Sequence, residues 1–263
     1  MQQQTDFDVI VVGAGFSGLY MLHRLRGLGL SARVIEAGDD VGGTWYWNRY
    51  PGARCDIESI EYSYSFDADL QNEWDWPERF SAQPDILAYL RHVAERFDLR
   101  RDIQFSTRVQ AAHWDEDARR WTVTTDRGER LSARHCVLAT GCLSSFNRPD
   151  IPGLASFAGP TYLTGQWPHE GVDFTGRRVA VIGTGSSAIQ SIPVIAEQTA
   201  QLTVFQRTPN FAVPSRNHPL TAADLAEARA GYAEMREIAR QSSAGAARLV
   251  PPSLTPVLET PPD

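Results

Sequence analysis

Apolar positions along this chain follow two alternating patterns. Short runs rich in apolar residues at Phe7 to Val12, Ala32 to Ile35, Cys136 to Gly141, Arg178 to Ile182 and Leu202 to Phe205 read as buried strands of a parallel sheet. Between them apolar residues recur at helical spacing. One set is Leu19, Tyr20, Leu22, Leu25 and Leu28, closed by Gly27 and Gly29. A second lies within Pro84 to Phe97, with Asp85 in its first turn and Arg96 near its end. A third is Ile189, Ile192, Ile195 and Ala196, where Pro193 predicts a kink because proline lacks the N–H and clashes one turn back.

Shorter β-type runs at Ile103 to Phe105, Arg108 to Gln110, Trp121 to Thr124 and Arg130 to Leu131, with a tight turn at Asp126-Arg127-Gly128, predict a small antiparallel insertion. After Arg216 the pattern predicts one polar, amphipathic helix. Thr221 is its N-cap, and Leu225, Ala228, Tyr232, Met235 and Ile238 are its apolar positions. From Leu249 to Asp263 five prolines leave no room for regular structure. The fold class is therefore α/β, with two Rossmann-like βαβ units and a small antiparallel β insertion.

Each βαβ unit carries a glycine-rich turn between its first strand and its helix. In Gly13-Ala14-Gly15-Phe16-Ser17-Gly18, Gly13 makes the tight turn, Gly15 lets the backbone approach a pyrophosphate, and Gly18 lets helix pack on strand. The phosphates would sit on the helix N-terminus, and Glu36, at the end of the next strand, would accept hydrogen bonds from ribose hydroxyls. A carboxylate there repels a 2′-phosphate, so this site suits FAD or NAD. The second turn and the start of its helix read Gly183-Thr184-Gly185-Ser186-Ser187-Ala188-Ile189-Gln190. Its following strand ends in Gln206-Arg207-Thr208, where the first unit has Glu36. Arg207 and Thr208 suit a 2′-phosphate, and a charge-assisted hydrogen bond of ~1.5–3 kcal/mol would favour NADP(H) over NAD(H) roughly ten- to a hundredfold. FAD and NADPH in one chain mean hydride transfer to flavin.

Composition narrows this reading. The net charge of −7 argues against a nucleic-acid partner, and 42% hydrophobic with 22% charged residues is ordinary for a globular chain. The start, Met1 to Asp8, is polar and acidic and lacks the basic region of a secretory signal; no apolar run approaches a membrane span. Cys55, Cys136 and Cys142 have neither disulfide-framework nor zinc-site spacing, so no metal is expected and the cytoplasm is the default compartment. Flavin-dependent disulfide reductases share the two-nucleotide pairing but need a redox-active cysteine pair, and Cys136 and Cys142 straddle a strand end instead.

Asp39 to Tyr64 is a loop of aromatics, glycines, arginines and acids, too broken for a core helix. It reads equally as a buried lid or as the wall of a site for a planar ligand. Asp56, flanked by Cys55 and Ile57, is expected to be partly buried and to need a partner, either Arg54 or a ligand donor. On the residues alone a structural salt bridge is favoured.

The run V-G-G-T-W-Y-W-N-R-Y-P-G-A-R-C-D-I-E-S, following G-A-G-F-S-G-L and Glu36, resembles the flavin-site loop of the type I Baeyer–Villiger monooxygenases. So does Phe157 to Pro168, which matches the family fingerprint F-x-G-x-x-x-H-x-x-x-W-P at Phe157, Gly159, Trp167 and Pro168, with Leu163 at the histidine position. Q-R-T-P-N-F-A-V-P after the second unit extends the match to nearly all of residues 7 to 216. The resemblance implies that Thr44, Trp45, Tyr46, Trp47, Cys55 and Tyr62 line FAD and that Val109 lies beside its adenine end. It also implies that Asp56 is catalytic, where flavin and nicotinamide meet, and that Arg54 reaches towards NADP. The implied activity is oxidation of ketones to esters or lactones with O2 and NADPH.

The implied division is a FAD-binding part at 1–150, a linker at 151–175, the first part of an NADP-binding domain at 176–216, and the start of a helical insertion with a proline-rich end at 217–263. Family members are much longer, and their catalytic arginine would lie past residue 263, so the chain is expected to correspond to the N-terminal half. The alternatives are a nucleotide-binding fragment that needs a complementing C-terminal half, and a heteroatom-oxidising flavin monooxygenase, which the linker fingerprint disfavours.

Overall fold

The computed structural model describes residues 5–247; the first four residues and the proline-rich stretch at 249–263 lie outside them. In chain order the elements begin β1 (Phe7–Val12), α1 (Phe16–Gly27), β2 (Ala32–Ile35), α2 (Thr44–Trp47), α3 (Ala68–Glu73) and α4 (Gln83–Arg96). Next come β3 (Ile103–Gln104), β4 (Val109–Asp115), β5 (Arg120–Thr125) and β6 (Arg130–Leu138). The last are β7 (Arg178–Ile182), α5 (Ser186–Ala196), β8 (Gln201–Phe205) and α6 (Ala222–Gln241). The described residues form two compact bodies, one from residues 5–54 and 82–214, the other from 55–81 and 215–247.

The first body is built on a six-stranded sheet in the order β3-β2-β1-β6-β5-β4. β1 pairs in parallel with both β2 and β6, as its apolar run requires, since a central parallel strand is covered on both faces. Val9, Ile10 and Val11 are at most 2% exposed. Leu19, Leu22 and Leu25 of α1 are buried, and full burial of such a side chain contributes roughly 1.5–3 kcal/mol. Tyr20 and Leu28, which share the helical spacing, are instead exposed at 40% and 65%.

The antiparallel strands expected as an insertion are present, but they continue the parallel sheet instead of standing apart from it. Arg130-Leu131 and the Cys136 run are one strand, β6. Its first half pairs antiparallel with β5 while much of its length pairs in parallel with β1. Ile103-Gln104 does not join the antiparallel strands; it extends the sheet in parallel beyond β2.

β7 and β8 form a separate two-stranded parallel sheet with α5 between them in sequence. Pro193 lies inside α5 without ending it. Only Ser191 and Ile195 of α5 are buried, whereas Ile189 and Ala196 face outward. A small core joins Ile195 to Trp167 and Phe174, with Tyr50, Val172, Val179 and Leu202 packed against it. Trp167 of the fingerprint therefore anchors the second βαβ unit, whereas Phe157 is 64% exposed.

In the second body, α6 starts with a full capping box: the Thr221 hydroxyl accepts from the Asp224 amide, and the Asp224 carboxylate accepts from the Thr221 amide. Ala228, Tyr232 and Met235 are buried as the spacing predicts, while Ile238 is 48% exposed. α3, missed by the hydrophobic pattern, is capped by Asp67, whose side chain accepts from the Leu70 amide at 2.8 Å. Arg79 donates to buried Glu58 and the Ser59 hydroxyl donates to Glu78 and Arg79 carbonyls, tying residues 58–59 to 78–79.

Candidate functional site

At the first glycine turn Gly13 has φ of +104°, and its amide donates to the Ile35 carbonyl at 2.9 Å. A Cβ on Gly13 would lie 2.6 Å from the Ala139 carbonyl oxygen, and one on Gly18 would lie 1.9 Å from the Gly13 oxygen. Only glycine fits either place, so strand, turn and helix N-terminus are locked together. Gly15 is the N-cap of α1 and contributes no side-chain cap, so the backbone amides of Phe16, Ser17 and Gly18 form a helix start suited to an anion.

Gly15 also meets the aromatic loop. Its closest neighbour is chain: an added Cβ would meet Gly43 Cα at 3.3 Å, and the reciprocal Gly43 Cβ would meet Gly15 Cα at 2.8 Å. The Gly42 amide donates to the Ala14 carbonyl at 3.0 Å. The start of the aromatic loop is thus laid directly across the glycine turn.

Glu36 follows β2 and is only 4% exposed. One carboxylate oxygen accepts from the Ala14 amide and the other from the Gly38 amide, each at 2.7 Å. Each oxygen keeps lone-pair capacity for a further donor. The Thr107 amide donates to the Glu36 carbonyl at 2.9 Å, which brings the segment leading into β4 alongside. Val109, at the start of β4, packs against the core around Ile10 and Val123.

The aromatic loop contains a helical turn, α2, where the sequence suggested none. Trp45 and Tyr46 are buried, and Thr44 and Trp47 are half-buried. The Tyr46 ring fills the space beside Gly38, where a Cβ would lie 2.6 Å from its Cε1 atom. Its hydroxyl donates to Asp39 at 2.7 Å, and burial followed by the Asp39 contact raises its pKa. Arg49 lies over the Tyr46 ring at 5.1 Å, and His169 meets the same ring edge-on at 4.9 Å. Burial, and then the Arg49 charge, lowers the His169 pKa.

The expectation for Asp56 is corrected. Cys55 is buried but the chain bends at Asp56, which is exposed and needs no buried partner. Burial pushes the Cys55 thiol up to about 11, and the neighbouring Asp56 charge adds to the shift. Tyr62 is half-buried, its amide donating to the Glu58 carbonyl at 2.9 Å.

The second turn repeats the backbone of the first in more open surroundings. Gly183 has φ of +105° and its amide donates to the Phe205 carbonyl at 2.8 Å. Gly185 caps α5 without a side-chain bond, and an added Cβ on Gly183 or Gly185 meets nothing within 4 Å. Gln206 donates to the Thr184 hydroxyl at 2.9 Å, which ties the end of β8 to the turn. Arg207 and Thr208 follow and are exposed; Ser186, Ser187, Ala188 and Ile189 form the first turn of α5.

The Gln190 side chain bonds to Tyr50 and to the Arg54 backbone. Sequence reasoning did not single out Tyr50, Gly43 or Gln206. Gln206 could have been found from its place between β8 and Arg207; Tyr50 lies outside the glycine motifs.

Residues 10–243 match the family described as pyridine nucleotide-disulphide oxidoreductase. A Baeyer–Villiger monooxygenase of Pseudooceanicola batsensis is 47% identical over 228 residues, 86% of this chain and 42% of that protein. Among solved structures, an oxidized steroid monooxygenase bound to NADP shares 57% identity with a TM-score of 0.90, over 97% of this chain and 48% of that one. OTEMO, in complex with FAD and NADP, shares 41% identity with a TM-score of 0.88, over 93% of this chain and 47% of that one. The chain spans less than half the length of these proteins.

Proposed function

The chain belongs to the pyridine nucleotide-disulphide oxidoreductase family and, within it, to the Baeyer–Villiger monooxygenases, and on that premise we propose that it is the two-nucleotide part of a FAD- and NADPH-dependent monooxygenase. One observation carries the reading: the same strand–turn–helix backbone occurs twice, with a buried carboxylate after one second strand and an exposed arginine after the other. The residues present fit both groups. At the first turn the uncapped start of α1 suits a pyrophosphate, and Glu36 has spare acceptor capacity for ribose hydroxyls. At the second, Arg207 and Thr208 follow a strand tied to the glycine turn through Gln206 and Thr184, and they suit a 2′-phosphate.

Bound FAD would supply the redox chemistry, taking a hydride from NADPH and activating O2 for insertion beside a ketone carbonyl. The chain's own part is to bind and orient. The Gly42–Trp47 segment covers the first turn, with Thr44 and Trp47 half-buried for contact with a planar ring. Asp56, exposed, is the residue assigned to catalysis by family likeness. Disulfide reduction, named in the family description, is disfavoured: Cys55, Cys136 and Cys142 lack the spacing of a redox-active C-x-x-C pair, and the buried Cys55 thiol, raised to about 11, is a poor nucleophile.

β7 and β8 expose Ile182 at 65% and Phe205 at 55%, although parallel sheets are ordinarily covered on both faces. This supports further polypeptide, continuous or separate, completing the second unit. The free thiols suit a reducing, cytoplasmic setting. No helix among the described residues is long and apolar enough to cross a membrane.

Calorimetric titration with NADP+ and NAD+ tests the assignment. NADP+ should bind roughly ten- to a hundredfold more tightly, and Arg207→Ala should abolish most of that preference. Equal affinities in the unmodified chain would overturn the assignment of the second site.

A further inference from the structure

Gln190 stands in the first turns of α5, where the glycine motif would make it a nucleotide contact, yet its amide is engaged with the aromatic loop. Its Oε1 accepts from the Tyr50 hydroxyl at 2.9 Å and from the Arg54 amide at 3.3 Å. Its Nε2 donates to the Arg54 carbonyl at 3.1 Å. The side chain thus pairs with the Arg54 residue on both its donor and its acceptor, as a neighbouring strand would.

The loop is shaped for this approach. Tyr50-Pro51-Gly52-Ala53 is a β-turn closed by the Ala53 amide on the Tyr50 carbonyl at 3.1 Å, with Gly52 at φ of +75°. A Cβ on Gly52 would lie 2.3 Å from the Gln190 carbonyl oxygen and 3.1 Å from Val194 Cγ2, so the turn rests on the backbone of α5 itself. Tyr50 packs against the Trp167–Phe174–Ile195 core.

We propose that Gln190 is a positioning residue, a latch that fixes the Tyr50–Arg54 turn to the helix carrying the second glycine motif, so that Arg54 is presented to the second nucleotide in one fixed backbone conformation. The proposal rests on the NADP(H) reading of that site. It implies that the nucleotide and loop are coupled through the Gln190 amide, without contact between that amide and the nucleotide.

The test uses the full chain with Gln190→Leu and Gln190→Glu, read by hydrogen exchange and by NADP+ titration. Gln190→Leu removes all three bonds at similar volume and should raise exchange across residues 50–54 about tenfold, leaving β7 protected. Its NADP+ affinity should fall about three- to tenfold with FAD affinity unchanged. Gln190→Glu keeps both acceptor bonds but cannot donate to the Arg54 carbonyl, and should fall between Leu and the parent. Tyr50→Phe made in the Gln190→Leu background should add nothing to loop exchange, because the bond it deletes is already gone.

Unchanged exchange at 50–54 in Gln190→Leu would overturn the latch. A loss of NADP+ affinity with unchanged loop exchange would also overturn it, in favour of a direct nucleotide contact. An unmodified chain that takes up no NADP+ would refute the second-site reading, while the exchange data would still decide whether Gln190 holds the loop.

Discussion

Replacing Glu36 with alanine would separate its structural role from its ligand role. The carboxylate is 4% exposed and holds two backbone amides at 2.7 Å, those of Ala14 in the glycine turn and Gly38 beyond β2. A hydrogen bond to a charged group contributes ~1.5–3 kcal/mol, and alanine leaves both donors without that acceptor, so a loss of roughly 3–6 kcal/mol is expected. That is a large fraction of the ~5–15 kcal/mol by which domains are stable. Glutamine should rescue only part of it, because its amide nitrogen would face one of the two donors. Urea unfolding of the ligand-free chain, followed by tryptophan fluorescence, measures the loss directly. A change below about 1 kcal/mol would refute the reasoning and return Glu36 to a purely ligand-binding role.

The two glycine turns predict opposite responses to a methyl group. Gly18→Ala would place a Cβ 1.9 Å from the Gly13 oxygen and should exceed the ~1–3 kcal/mol of ordinary overpacking, whereas Gly185→Ala meets nothing and should cost under about 1 kcal/mol; thermal melts with similar shifts for both would contradict this. Burial works against the Asp40 carboxylate, but hydrogen bonds from Arg100, Arg91 and the Val41 amide together hold its pKa below 3.8. A depressed acid stabilises the fold above its unfolded pKa and loses that contribution as pH falls through its folded value. Asp40→Asn should therefore lower stability by about 1–2 kcal/mol at neutral pH, with the difference vanishing in strong acid, and a deficit that persisted there would count against the ion-pair explanation. Cys55, raised to about 11 by burial, should react with iodoacetamide at pH 8 at least about 100-fold more slowly than exposed Cys142, and peptide mass spectrometry showing equal rates would contradict its burial.

The strand–turn–helix units were legible because their signals are local: an apolar run, glycines at fixed spacing, and then a helical period. β6 was read as two pieces because Ser132, Arg134 and His135 interrupt its apolar run, and the polar positions Arg130, Arg134 and His135 face outward along one continuous strand. Asp56 was expected to be partly buried from its apolar neighbours, but the chain bends there, so Cys55 goes inward while the carboxylate stays out. The place of Glu36 was readable from its spacing; its capture of two amides, like the crossing of Gly43 over Gly15, depends on tertiary packing. The Gln190 contacts join residues 136 to 140 positions apart and leave no periodic trace.

The most direct measurement is the visible spectrum of the purified chain after incubation with FAD and removal of free ligand. Close to one FAD retained per chain, lost in Gly15→Val, which crowds Gly43 where the loop crosses the glycine turn, is the result this account predicts. A folded, colourless chain that retains no FAD would contradict it.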